Sequence, residues 1–187
     1  MSAHRVAALV FIMAAIIPGL ATEAGEGKPQ QEPAVLAKAQ KNIDEGKVVV
    51  RELLQNLQKL GASPEEQSWQ EEMIRLLGSM KAEEAVPELV KRISFLTMKP
   101  VDERTIQNVY PAVEALVHIG KPATVPLLKA VADCADNRKM NLYVYAIATI
   151  ETRPVAVFLI KNRLKEAKDG KEKANLQAAL EDPLIKE

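Results

Sequence analysis

Cysteine occurs once in this chain, at Cys134, and aromatic residues make up only 4% of it. One thiol excludes an internal disulfide framework and a cysteine-built zinc site. Cys134 reads as a small buried apolar residue near a helix end, with an intermolecular disulfide in an oxidising compartment left open. Net charge is missing as well, since Lys plus Arg and Asp plus Glu both number 25. A balanced surface sets up no long-range field to gather DNA, RNA or an anionic membrane. Between residues 34 and 187 no useful stretch alternates with period two, which argues against a sheet. HExxH, GxSxG, P-loop and GxGxxG patterns are all absent.

What the chain does have is Ala, Leu, Val, Glu and Lys, residues that lose little rotamer freedom in helices. Its 187 residues suffice for one domain with a sizeable core. Residues 1–24 read as a secretory signal peptide. A short n-region carries Arg5, an uncharged apolar run spans Val6 to Leu20, and small residues follow, with cleavage after Ala21 or after Ala24. The apolar run is short against the roughly 20 residues needed to cross a bilayer, so no membrane span is expected after cleavage. Export to the periplasm or the extracellular space is therefore expected. Gly25 to Pro33 has almost nothing apolar and reads as a flexible leader.

From Ala34 onward the apolar spacing is helical. Leu36, Ala39, Ile43, Val50, Leu53, Leu54, Leu57 and Leu60 fit one long helix or a pair split near Gly46, and Gly61 stops the run. Ser63-Pro64-Glu65-Glu66 is a capping box with proline at the first helical position. The helix after it presents Trp69, Met73, Leu76, Leu77 and Met80 on one face. A second helix starts near Glu83 and carries Val86, Leu89, Val90, Ile93 and Leu96. A third opens at Asp102, with a kink or a late true start at Pro111, and Gly120 closes it. Pro122 opens the next helix, with Val125, Leu128 and Val131 as its apolar positions. Asp136 and Asn137 cap a helix holding Leu142, Tyr145, Ala146, Ile147 and Ile150. Thr152 caps another, with Val155, Phe158, Leu159 and Leu164. Gly170 breaks that helix, and a short last helix runs to about Leu180, stopped by Asp182-Pro183.

Three segments share a pattern: Leu77 to Met80 with Val86-Pro87-x-Leu89, Leu116 to Gly120 with Val125-Pro126-x-Leu128, and Ile147 to Ile150 with Val155 to Leu159. Anchors shift by 39 positions between the first two and by 31 between the second and third. Helical hairpins that cannot bury both apolar faces alone gain a continuous core by stacking. The pattern resembles the HEAT-like repeats of phycocyanobilin-lyase subunits, best in the second segment. The first has Lys81 in place of the glycine, and the third has Glu151 there and lacks the proline. The resemblance implies an all-α fold, a short right-handed α-solenoid of about three repeats. The expected organisation is signal peptide 1–24, leader 25–33, N-terminal helical cap 34–62, repeats 63–168 and C-terminal capping helix 169–187.

Chemistry is sparse. Processing leaves His118 as the one histidine, near a helix C-terminus where it interacts with the dipole. The carboxylates Glu65, Glu66, Glu71, Glu72, Glu83 and Glu84 read as solvated helix faces, with Glu71 four residues before Arg75 in the favourable order. No catalytic residue, cofactor or metal site is expected. In HEAT-like arrays the second helices line the partner-binding face. That implication singles out Lys91, Arg92, Lys129, Lys161, Arg163 and Lys165 as a mildly basic surface for another protein, with no nucleic acid. The expected function is a non-catalytic, exported protein-protein interaction module. The alternative is an enzyme-associated subunit resembling the bilin-lyase HEAT-like proteins.

Overall fold

A computed structural model of the chain describes residues 32–97 and 105–186, and for 32–40 and 43 the backbone alone. The expected signal peptide, the leader up to residue 31 and the expected helix start at Asp102 lie outside the described residues. Every regular element within them is helical, so the chain is all-α. In chain order the α-helices are α1 (Glu32–Lys59), α2 (Pro64–Ser79), α3 (Val86–Lys91), α4 (Ile106–Val109), α5 (Pro111–Ile119), α6 (Thr124–Asp133), α7 (Asn137–Glu151), α8 (Arg153–Glu166) and α9 (Gly170–Leu180). Short 3-10 turns at Glu83–Ala85 and Lys121–Ala123 lead into α3 and α6. The chain divides into two units, Met1–Asn42 and Ile43–Glu187. Of the first, only the opening turns of α1 are described; the second holds every other element.

Local chemistry sets the boundaries. The residues about Gly46 form one continuous helix, not a pair. Ser63 Oγ accepts from the Glu66 amide at 3.3 Å, and the Glu66 carboxylate accepts from the Ser63 amide at 3.2 Å. The Ser63 hydroxyl also donates to the Glu66 carboxylate at 2.7 Å, and this bond first, then the Gly61 and Ser63 backbone, holds the Glu66 carboxyl below its ordinary range. Asp136 caps α7 by accepting from the amides of Arg138 and Lys139. The run ahead of Pro111 resolves as a late start: α4 is one turn capped by Thr105, Tyr110 is extended, and Pro111 opens α5. Pro111 fits there because the first turn has no use for the missing N–H. Thr152 departs from expectation. Its side chain makes no cap bond, and its backbone stands at φ 82°, ψ 151°, a region that is essentially glycine's own.

Positive φ recurs with position. Among the described residues it is found at Lys81 (52°), Gly120 (82°) and Thr152 (82°). Each stands in the short link after α2, α5 or α7.

Packing places α5 between α2 and α7, while α6 touches α3, α7, α8 and α9. The α2–α5 approach is so tight that a Cβ on Gly78 would come within 2.5 Å of the Ala115 Cα. Buried positions on these helices keep the expected register. Met73, Ile74 and Leu77 recur 39 residues later as Ala112, Val113 and Leu116, and the last two recur 31 later as Val144 and Ile147. The helices that follow the turns do not keep it. Val86, Leu89 and Ile93 are buried, and so are Thr124, Leu127 and Val131, each 38 positions on. The step from buried Leu116 to Thr124 is one residue shorter than that from Leu77 to Val86, which turns the next helix by about 100° relative to the sequence count. Val125 therefore faces solvent at 73% exposure, and Leu127 takes the core position expected for Leu128. On α8 the core is met by Ala156 and Ile160, leaving Val155 and Phe158 outside. On α7, Tyr143 is buried and Tyr145 only partly so.

The buried face of α2 is also rotated from the expected one. It includes Gln70, Glu71, Ile74 and Gly78, while Trp69, Leu76 and Met80 are half-buried. Glu71, expected on a solvated face, is fully buried. Its carboxylate accepts from Arg75 Nε at 3.2 Å and from the Thr97 hydroxyl at 2.8 Å. Arg75 also pairs with Glu114 of α5. A buried carboxylate survives where charged hydrogen bonds replace water. At the other end of the chain Ile185 is buried, held by a turn in which Asp182 accepts from the Leu184 amide.

Candidate functional site

The six basic residues singled out from the sequence fall into two groups. Lys91, Lys129, Lys161 and Lys165 are exposed, whereas Arg92 and Arg163 are spent on internal contacts. Arg92 follows the last turn of α3, and its side chain is 22% exposed. Its guanidinium donates to Glu88 Oε1, to Gln70 Oε1 and to the Leu57 carbonyl, each at 3.0 Å. One side chain thereby ties α1, α2 and α3 together. Arg163 turns toward α9, pairing with Glu172 at 2.6 Å and with Glu166 at 3.9 Å. These two arginines hold the fold and offer little charge to a partner.

The lysines point outward for a simple reason. Lys91 and Lys129 stand two residues after the buried Leu89 and Leu127, and a two-residue step turns a helix position by about 200°, away from the core. They are thus equivalent positions on α3 and α6. Lys91 has 73% of its side chain exposed and stands 3.5 Å from Glu88, an exposed pair that restrains it little. Lys129 follows the exposed Val125 by one helical turn. On α8, Lys161 and Lys165 stand three and seven residues after the exposed Phe158, on its face.

The remaining chemistry-bearing residues are dispersed. His118 is exposed in the last turn of α5. Cys134 is half-exposed, contrary to the buried reading, and its Sγ donates to the Asp136 carbonyl at 3.2 Å. Tyr143 packs nearby, with its hydroxyl donating to the Val90 carbonyl at 3.3 Å. Burial, then the charges of Cys134 and Asp136, push its phenol up to about 12. Arg138 donates to the Tyr110 hydroxyl at 2.9 Å, and its guanidinium stands 6.0 Å from that ring's centre. Among the described residues no three of His, Cys, Asp and Glu gather as metal ligands. No described helix is long and apolar enough to cross a membrane.

Sequence reasoning missed one feature, an open cleft of about 610 Å³ between the α1–α2 link and the strand of chain after α3. Gln70 and Arg92 form its polar floor, with Leu60, Phe95 and Leu96 at its walls. Gln70 donates to the Gly61 carbonyl and accepts from Arg92. The floor is therefore bound to its own surroundings, and the described lining holds no carboxylate, histidine or cysteine. No local motif announced the cleft, because Gln70 and Arg92 lie 22 positions apart and meet only in the fold.

Comparison with protein families, with characterised proteins and with solved structures yields no match.

Proposed function

We propose that the protein is an exported, non-catalytic protein-binding module, built as a short right-handed α-solenoid of HEAT-like helix pairs. About three pairs, α2–α3, α4/α5–α6 and α7–α8, form the array, with α1 and α9 as its caps. The observation that carries the reading is the repeated outward placement of Lys91 and Lys129 at equivalent positions of successive second helices. Two further features support it. One positive-φ residue stands in the link of each pair, and α5 touches both α2 and α7 while α6 touches both α3 and α8, as stacking of like on like requires. A row of lysines at repeat spacing suits an acidic protein surface, for which complementary charge raises the rate of encounter. With Arg92 and Arg163 paired within the fold, the proposed surface is Lys91, Lys129, Lys161 and Lys165.

The test is recovery of a partner. Tagged mature protein is incubated with the native exported fraction of its source cells in mild salt. A stoichiometric protein partner supports the reading, and recovery of the bait alone counts against it.

A further inference from the structure

The outer face of α8 is unlike that of a solvated helix. Phe158 is 61% exposed and Val155 is 40% exposed. Phe158 stands two residues after buried Ala156 and two before buried Ile160, and each such step turns a helix by about 200°. The ring therefore projects away from the core as a knob on the helix ridge. Val155 lies three residues before it, and exposed Lys161 and Lys165 lie three and seven residues after it, all on the same side of the helix. Apolar side chains thus stand on both faces of α8, one set buried in the fold and the other left in water.

Charge is sorted along the neutral chain, and residues 153–173 hold seven cations against three acids. All three acids are engaged within that segment. Glu172 pairs with Arg163 at 2.6 Å, Glu166 stands 3.9 Å from the same guanidinium, and Asp169 caps α9 by accepting from the Glu172 amide. Arg153, Lys161, Lys165, Lys168, Lys171 and Lys173 are exposed, and among the described residues none of the six has an ion pair. Helices α6 and α7, which pack against α8, do not reverse the sign. α6 adds Lys129 against Asp133, and α7 with its cap adds Arg138 and Lys139 against Asp136 and Glu151.

We propose that the Phe158 ridge of α8 rests on the surface of a membrane containing anionic lipid, as a peripheral contact and not a span. Unpaired cations call for an anionic partner, and the ridge distinguishes the kinds. One ring and one isopropyl group are too little apolar surface for the core of a protein interface. A nucleic acid has no place for the aliphatic Val155. A lipid surface opens between its headgroups around single apolar side chains, and lysine stems lie along it with their ammonium groups at the phosphates. The zero net charge gives no long-range pull, so the attraction acts at contact, within a Debye length of about 8 Å at physiological salt. An apolar anchor and a basic patch are each weak alone, and together they give reversible binding. This inference goes beyond the partner-binding reading and does not depend on it, since Lys91 and Lys129 carry that reading and stand outside this stripe.

Co-sedimentation of the mature chain with vesicles tests it, comparing equal parts phosphatidylglycerol and phosphatidylcholine with phosphatidylcholine alone, in low and in high salt. The expected result is binding to the anionic vesicles only, released by high salt. Lys161→Gln and Lys165→Gln each weaken it roughly fivefold. Lys91→Gln removes the same charge away from the ridge and leaves binding unchanged. Phe158→Ser weakens binding about fivefold or more with no change in charge, whereas Phe158→Trp retains it. All these side chains are exposed, and unchanged circular dichroism establishes that the variants fold. A chain that stays in the supernatant with anionic vesicles overturns the proposal, as does binding that Phe158→Ser leaves intact. So does a loss with Lys91→Gln equal to that with Lys161→Gln, which would reduce the effect to bulk charge. A protein partner that needs Phe158, Lys161 and Lys165 while the vesicles stay bare also overturns it, by assigning the ridge to a protein.

Discussion

Gly78 of α2 faces Ala115 of α5 so closely that a Cβ at Gly78 would stand 2.5 Å from the Ala115 Cα and 2.7 Å from its Cβ. Backbone atoms cannot swing aside as a flexible side chain can, so the two helices must separate to admit a methyl group. Gly78→Ala is expected to destabilise the protein by about 1–3 kcal/mol in denaturant unfolding, despite alanine's better helix propensity. Gly46 supplies the control. It lies within α1 with nothing near the position of a Cβ, so Gly46→Ala is expected to stabilise α1 by roughly 0.5–1 kcal/mol.

Backbone strain in the links makes an opposite prediction for glycine. Thr152 holds φ 82°, ψ 151°, and a β-branched residue there costs about 1–3 kcal/mol. Glycine removes that strain but costs some 0.5–1 kcal/mol in unfolded-chain entropy. Thr152→Gly should therefore raise the denaturation midpoint, with a net gain of about 1 kcal/mol. Lys81→Gly should do less, because the φ of 52° at Lys81 is milder. Gly120→Ala should lower the midpoint.

The buried Glu71 carboxylate depends on Arg75 more than an exposed pair would. Removing the guanidinium takes one charged donor away from a carboxylate with 0% of its side chain exposed. Arg75→Ala is expected to cost about 2–3 kcal/mol by chemical unfolding. Lys91→Ala, which breaks a pair with a 73% exposed lysine, is expected to stay within about 0.5 kcal/mol of wild type.

Two of the described groups give the pH dependence a direction. The folded pKa of Glu66 lies below its unfolded value, so its contribution is present above the unfolded pKa and is lost as pH falls through the folded one. Ser63→Ala should flatten that acid limb. Tyr143 is raised to about 12 from 10.0, so its contribution is intact below 10 and is lost as pH rises toward 12. Ultraviolet titration of the phenolates should show one of the three tyrosines ionising near 12. Cys134→Ser should lower that midpoint.

Much of the fold was legible because it is local. The capping box at Ser63, the cap at Asp136 and the start at Pro111 each depend on neighbours within four residues. The core placement of Met73, Leu77, Leu116 and Ile147 was legible too, though not the rotation of α2 toward Gln70 and Glu71. The faces of α6 and α8 were not. One residue fewer before the core of α6 rotates that helix and sends Val125 to solvent, and Phe158 on α8 reached solvent with no local sign of it. Buried Glu71 escaped notice because Thr97, whose hydroxyl it accepts from, lies 26 positions away. The candidate surface was half legible for the same reason. A lysine and an arginine look alike in sequence, but Arg92 finds Gln70 and Leu57 only after folding.

Titration calorimetry between the protein and the partner recovered from the exported fraction tests the central claim most directly, comparing wild type with Lys91→Glu/Lys129→Glu. Both lysines are exposed, and because Lys91 pairs with Glu88 at 3.5 Å, unchanged circular dichroism of the variant is part of the comparison. The expected result is an affinity about tenfold weaker, from losses of roughly 1 kcal/mol or less at each exposed contact, with a shallower dependence on salt. An affinity unchanged by reversing both charges would contradict the account.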